Sequence, residues 1–115
     1  MHELSIAQSI VEMVDEVAHR EGAARVATIN LRLGALSSVV EEALQFSFEL
    51  VAAGTAAEGA RLAVEKVALV IFCPTCDAER TLSAPVFICP VCGNPTQSVI
   101  SGKELEVTSV ELEND

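Results

Sequence analysis

At 115 residues, half of them apolar, the chain has room for one ordinary domain or a small one carrying a metal-stapled appendage. Aromatic side chains are scarce (four Phe, no Trp, no Tyr), so any core must be aliphatic and alanine-filled. The net charge of −10 disfavours phosphate backbones as partners and favours a cationic patch, a cationic protein or a metal ion.

In chain order, residues 4–21 repeat apolar side chains at helical period. Ile6, Ile10, Val14 and Val17 form one stripe, with Ala7, Val11 and Ala18 beside it. Ser5 with Gln8 makes a candidate capping box, and Gly22 a candidate helix stop. Thr28–Leu33 alternates polar and apolar, which predicts a strand with one wet face, ended by Gly34. Ser38 and Glu41 make a second candidate capping box, after which Val40, Ala43, Leu44, Phe48 and Val51 continue a helical stripe toward Gly54. Arg61–Phe72 reads as one long strand whose alternation slips at Glu65-Lys66, a hint of a bulge. Glu104–Glu113 is the final predicted strand.

Between the last two strands stand Cys73-Pro74-Thr75-Cys76 and Cys89-Pro90-Val91-Cys92, with twelve residues separating the pairs. A two-residue gap lets both thiolates of a pair turn onto one ion, and two such knuckles supply the four-sulfur set that structural zinc prefers. Gly93 and Asp77 occupy matching places after each knuckle, where a positive φ is useful; Asp tolerates that conformation better than most residues. A closed four-thiolate site leaves no open position for chemistry, so its expected role is to fold a segment too small to fold alone.

Two other uses of such cysteines fit poorly. Residues 73–92 hold one cation, Arg80, and one aromatic, Phe87, which is no footprint for nucleic acid. Dithiol redox chemistry at a single Cys-Pro-x-Cys is disfavoured by the zinc spacing of two pairs. Nor is there a Ser/His/Asp or Cys/His constellation: the two histidines both lie in the first helical region, so no enzyme is expected. The chain opens Met1-His2-Glu3 without a basic, apolar leader, and its longest apolar run, Val67 to Cys73, is too short to span a membrane. Paired cysteines without an export signal point to a reducing, cytoplasmic setting.

The amino terminus offers nitrogen. An α-amine and an imidazole both shed protons near neutrality, with the His2 and Glu3 amides beside them. Ni(II) and Cu(II) suit such a square-planar nitrogen set, and Glu3 adds a carboxylate. Taken alone, a histidine at position 2 more often marks an exposed terminus that binds nothing. Glu41 and Glu42 could approach that end, though first-turn acids are ordinary in helices. His19 stands about four turns away and reads as a solvated face.

The combination is more specific than its parts. Met1-His2-Glu3-Leu4-Ser5-Ile6, Leu31-Arg32-Leu33-Gly34-Ala35-Leu36-Ser37, Phe48-Glu49, Gly54-Thr55 with Glu58, the two knuckles, Gly102-Lys103-Glu104-Leu105 and Glu111-Leu112-Glu113 together resemble the HypA/HybF family of hydrogenase nickel-insertion accessory proteins. The likeness runs over nearly the whole chain. It departs at the start of the second helix, where Glu41-Glu42 replaces a frequent Pro-Glu pair, and at Asp77, where many members carry glycine.

The resemblance implies a metallochaperone. Nickel, the transferable cargo, would sit at Met1, His2 and Glu3, and structural zinc at Cys73, Cys76, Cys89 and Cys92. Implied partners are a nickel-handling GTPase and the large subunit of NiFe hydrogenase, with urease maturation proteins for some members. A homodimer stays open, since an exposed strand edge invites pairing. The competing reading is a zinc-ribbon adaptor or regulatory protein without nickel delivery. The expected architecture is α+β: a small mixed three-stranded sheet with two helices over residues 1–72, completed by 101–115, and an inserted zinc ribbon at 73–100.

Overall fold

A computed structural model describes residues 2–114. The elements run α1 (His2–Glu21), β1 (Arg25–Gly34), α2 (Glu41–Ala52), β2 (Arg61–Val67), β3 (Leu69–Cys73), β4 (Ala78–Leu82), β5 (Val99–Ser101) and β6 (Leu105–Glu113). They make two helices and two three-stranded sheets, ordered β2-β1-β6 and β4-β3-β5. Two compact units share the chain. One takes residues up to Leu31, Val39–Glu65 and from Glu106 onward; the other takes Arg32–Ser38 and Lys66–Leu105.

The first unit holds the main core. From α1 come Ala7, Ile10, Val11, Val14 and Ala18; from α2 come Leu44, Phe48 and Ala52; Val26, Ile29 and Leu31 of β1 and Leu62 of β2 join them. The buried stripe of α1 leans toward the small residues: Ala7 and Ala18 are fully buried, while Ile6 and Val17 are only half-buried. Small side chains let α1 lie close to its neighbours. Each larger one, such as Leu44, contributes about 1.5–3 kcal/mol by leaving water. Backbone and side chains together tie β1 to β6. Asn30 Nδ2 donates to Ser109 Oγ at 2.9 Å, Thr108 Oγ1 donates to the Asn30 carbonyl at 3.2 Å, and Arg25 meets Glu113 at 2.8 Å.

Helix α1 ends as expected. Gly22 adopts φ 71°, the Ala23 N–H returns to the Ala18 carbonyl at 2.9 Å, and the Gly22 N–H to that of His19 at 3.2 Å. That pair of bonds is a Schellman stop. Neither expected capping box forms. Helix α1 already starts at His2, which leaves Ser5 inside it. Helix α2 is N-capped by Val40, without a side-chain hydrogen bond from its own cap, and Ser38 sits in the left-handed region at φ 61°.

The predicted strand 61–72 is two strands. It breaks at Ala68, and its halves enter different sheets. The alternation slip at Glu65-Lys66 stands just ahead of that break. With it, β3 joins the cysteine-bearing unit.

Candidate metal centre

Strand β3 delivers the first cysteine. Leu69 and Ile71 are buried on one side of it, and Cys73 continues that phase. It pairs antiparallel with β4, Cys73 facing Ala78, Phe72 facing Glu79 and Ile71 facing Arg80. Four residues turn the hairpin, Cys76 among them, and Asp77 closes it at φ 53°. The second knuckle is as tight: the Cys89 N–H bonds the Asn94 carbonyl and the Gly93 N–H bonds the Cys89 carbonyl, both at 2.9 Å, with Gly93 at φ 79°. Both left-handed positions expected after the knuckles are thus present. Asn94 Nδ2 donates to Thr75 Oγ1 at 3.0 Å, joining knuckle to knuckle. Thr96, buried, donates to the Phe72 carbonyl at 2.7 Å and returns the chain to β3.

These turns gather the four Sγ atoms within 4.8 Å of one another. Cys73 and Cys92 stand 3.5 Å apart, Cys76 and Cys89 3.9 Å. Four thiolates at about 2.3 Å from a tetrahedral ion have sulfur–sulfur edges of about 3.8 Å, so the cluster has the dimensions of an ion holder. Its charge chemistry agrees. The Cys92 N–H, then that of Val91, with the Cys92 and Arg80 side chains, hold Cys89 down to about 6 against burial. The Asn94 N–H pulls Cys92 down, but burial and the other three thiols push it up to about 12. Cys92 is exposed as a residue, yet its sulfur sits among the others. One thiol that ionises readily beside one that resists is a set whose full ionisation calls for a cation at its centre.

At the other end of the chain, Met1 lies outside the described residues. His2 opens α1 and is exposed; Glu3 follows, half-buried. Glu3 Oε2 accepts the Val40 N–H at 3.0 Å, so the side chain that caps α2 comes from α1. This places the first turn of α2, with Glu41 and Glu42, next to the start of α1. Among the described residues, the cysteines are the one group of three or more His, Cys, Asp or Glu close enough to share an ion; His2 and Glu3 are not joined by a third such side chain. His19 is turned to its own helix, Nδ1 lying 2.8 Å from the Asp15 carbonyl.

The Val40 N–H, then Glu3's own N–H, hold the Glu3 carboxyl down from 4.5 to about 2. A depressed acid stabilises the fold above its unfolded value and loses that contribution as pH falls toward the folded one. Melting temperatures of native protein and Glu3→Gln are therefore expected to differ at pH 5 and to converge by pH 2. A gap independent of pH would mean that the carboxylate does not cap α2.

Two participants were hidden in the sequence. Arg80, a lone cation in the sequence of this segment, is raised in pKa by the Cys76 and Cys89 sulfurs. Val40, an apolar residue, enters through its backbone N–H, which no side-chain pattern signals.

A family model described as hydrogenase/urease nickel incorporation, metallochaperone, hypA, matches residues 1–112. A protein named hydrogenase maturation factor HypA from Roseiflexus sp. (strain RS-1) is 47% identical over 116 residues, covering 100% of this chain and 94% of that one. Another of that name, from Chloroflexus aurantiacus (strain ATCC 29366 / DSM 635 / J-10-fl), is 46% identical over 112 residues, covering 96% and 98%. Among solved structures, a solution structure of HypA protein superposes with TM-score 0.74 at 19% identity over 100% of this chain and 98% of that one. The solution structure of the Ni metallochaperone HypA from Helicobacter pylori gives TM-score 0.65 at 17% identity, covering 98% of each chain. These two likenesses concern the fold.

Proposed function

The chain belongs to the HypA family of hydrogenase/urease nickel-incorporation metallochaperones, and from that premise we propose that it carries Ni(II) at its amino terminus and zinc in its four-cysteine cluster. The α-amine of Met1, the amide and imidazole nitrogens of His2, and Glu3 would take the cargo ion. Cys73, Cys76, Cys89 and Cys92 would hold the resident one. The observation that carries the nickel reading is the position of His2 and Glu3 at the opening of α1, with His2 exposed. The first N–H groups of a helix stand outside its i→i−4 ladder, so recruiting those nitrogens breaks no helical bond. The zinc reading rests on sulfur separations of 3.5 and 3.9 Å and on the preference of zinc for four thiolates.

No group of the chain is assigned a catalytic role; delivery requires release. The recipient is the large subunit of NiFe hydrogenase, reached with a nickel-handling GTPase in the cytoplasm, and the family description leaves urease open as a second destination. Among the described residues no helix is long and apolar enough to cross a membrane. The chain's excess of acid offers a basic partner an electrostatic handle, which high salt would weaken.

Calorimetric titration with Ni(II) tests the proposal on three proteins: one starting at Met1, His2→Ala, and one with extra residues before Met1. The first should bind, and affinity should drop at least about tenfold in the other two, since each loses a ligand. Binding by the first should also weaken as pH falls, because the ligands must shed protons. Normal binding by the extended protein would refute the terminal chelate. Zinc uptake without any nickel binding would favour the adaptor reading.

A further inference from the structure

We propose that Arg80 is the resident counter-ion of the four-cysteine centre: its guanidinium donates to the Cys76 and Cys89 sulfurs and slows loss of the bound metal. The inference rests on the zinc reading of that cluster. It adds a positioning residue that touches sulfur and not the ion.

Strand geometry aims Arg80 there. In the β3–β4 ladder Cys73 pairs with Ala78, and Arg80 stands two residues beyond Ala78. Residues two apart on a strand share a face, so Arg80 leaves the sheet on the side of Cys73 while Glu79 leaves on the other. The Cys76 and Cys89 sulfurs, one from each knuckle, raise the Arg80 pKa, as anionic neighbours of a guanidinium do. Among the described residues it makes no ion pair with a carboxylate, and its Nε is buried without a hydrogen-bond partner. A buried N–H without an acceptor is costly, and the anionic sulfurs of a loaded centre are the acceptors at hand.

Charge explains why such a group is needed. A divalent ion held by four thiolates keeps two negative charges, and here two of the sulfurs, those of Cys73 and Cys89, belong to buried residues. Arg80 is the only cation between Cys73 and Cys92 in a chain of net charge −10. Opposite charge in contact lowers the cost of collecting four anionic sulfurs, and N–H···S bonds draw electron density from sulfur, which blunts its attack on electrophiles. In a protein whose cargo ion must leave, the same device keeps the resident ion in place.

The test compares zinc-loaded native protein, Arg80→Met, Arg80→Lys and Arg61→Met, the last an exposed cation on β2. Zinc transfer to a chromophoric chelator and alkylation by iodoacetamide are followed in time, with amide dispersion as the check on folding. Arg80→Met should release zinc roughly tenfold faster and alkylate faster. Arg80→Lys should fall between it and native protein, and Arg61→Met should match native protein. A native release rate in well-folded Arg80→Met would overturn the proposal. If Arg80→Met does not fold, Arg80→Lys decides: faster release supports the counter-ion, and an unchanged rate overturns it. Zinc content of the native protein is a separate readout; a chain that holds no zinc overturns the centre and the counter-ion together.

Discussion

Stripping the metal from the four-cysteine centre is expected to unfold the unit formed by residues 32–38 and 66–105 while leaving the α-helical signal of α1 and α2 in place. The reason lies in what each unit buries. The helical unit has its own aliphatic core, built on Ile10, Val14, Ile29, Leu31, Leu44 and Phe48. The other buries only Leu33, Leu69 and Ile71 as apolar side chains, together with Cys73 and Cys89 themselves. Three aliphatic side chains bury too little apolar surface to order a unit of nearly fifty residues on their own, so the fold must be completed by the ion. Structural zinc binds small four-ligand modules with an apparent free energy of about 10–16 kcal/mol near neutral pH. Amide exchange gives the measurement. After chelation, the β3–β4 amides should lose protection, and Cys73→Ser should reproduce the loss without a chelator. Protection that survives in β3 and β4 would mean that the cysteines do not hold this unit together.

The same imbalance explains which parts of the fold were legible in the sequence. Where burial decides, periodicity exposes it: Ile10 and Val14 of the α1 stripe, Ile29 and Leu31 of β1, and Leu44 and Phe48 of α2 reach the core, whereas Val40 and Ala43 of the predicted α2 stripe are exposed. Where the metal decides, periodicity is silent. Strand β4 is Ala-Glu-Arg-Thr-Leu, polar enough to pass for loop, and β5 is three residues long. Neither has a buried stripe to betray it; both exist because they pair with β3, which Cys73 anchors to the cluster. The knuckles were readable to the level of backbone conformation, because a positive φ after each pair is a local demand that Asp77 and Gly93 meet. The helix starts were misread for a different reason. Capping-box patterns assume a local partner, whereas Val40 receives its carboxylate from Glu3, 37 positions earlier. The approach of Arg80 to sulfur depends on the β3–β4 register, which no spacing within the knuckles reveals.

Long-range backbone contact also underlies the change expected to be most damaging outside the cysteines, Gly34→Ala. Gly34 closes β1 where the chain meets residues 102–104. Its N–H bonds the Glu104 carbonyl at 2.7 Å, and the Leu36 N–H bonds the Gly102 carbonyl at 2.7 Å. A Cβ on Gly34 would collide with the Gly102 carbonyl group and stand 2.6 Å from the Glu104 nitrogen. All these atoms are backbone, so no rotamer change relieves the clash. Either the 102–104 segment moves and forfeits both hydrogen bonds, or the end of β1 does. Overpacking of this kind costs about 1–3 kcal/mol and each lost hydrogen bond about 0.5–1.5, which sets the expected loss at about 3 kcal/mol. Gly59 supplies the control. It has φ 79° with nothing near the position of a Cβ, so Gly59→Ala should cost only the left-handed conformation, about 1–2 kcal/mol. Urea unfolding of the metal-loaded proteins, read from amides of residues 66–105 for Gly34→Ala and of residues 39–65 for Gly59→Ala, should show the larger loss for Gly34→Ala. Equal costs would mean that the 34–102 crossing is loose. Gly34 and Gly102 lie in separate stretches, Leu31–Ser37 and Gly102–Leu105, both among those that carry the family resemblance. Their meeting gives the resemblance a physical content: two backbone segments pass too close for any side chain, and in doing so draw residues 32–38 into the unit that holds the cysteines.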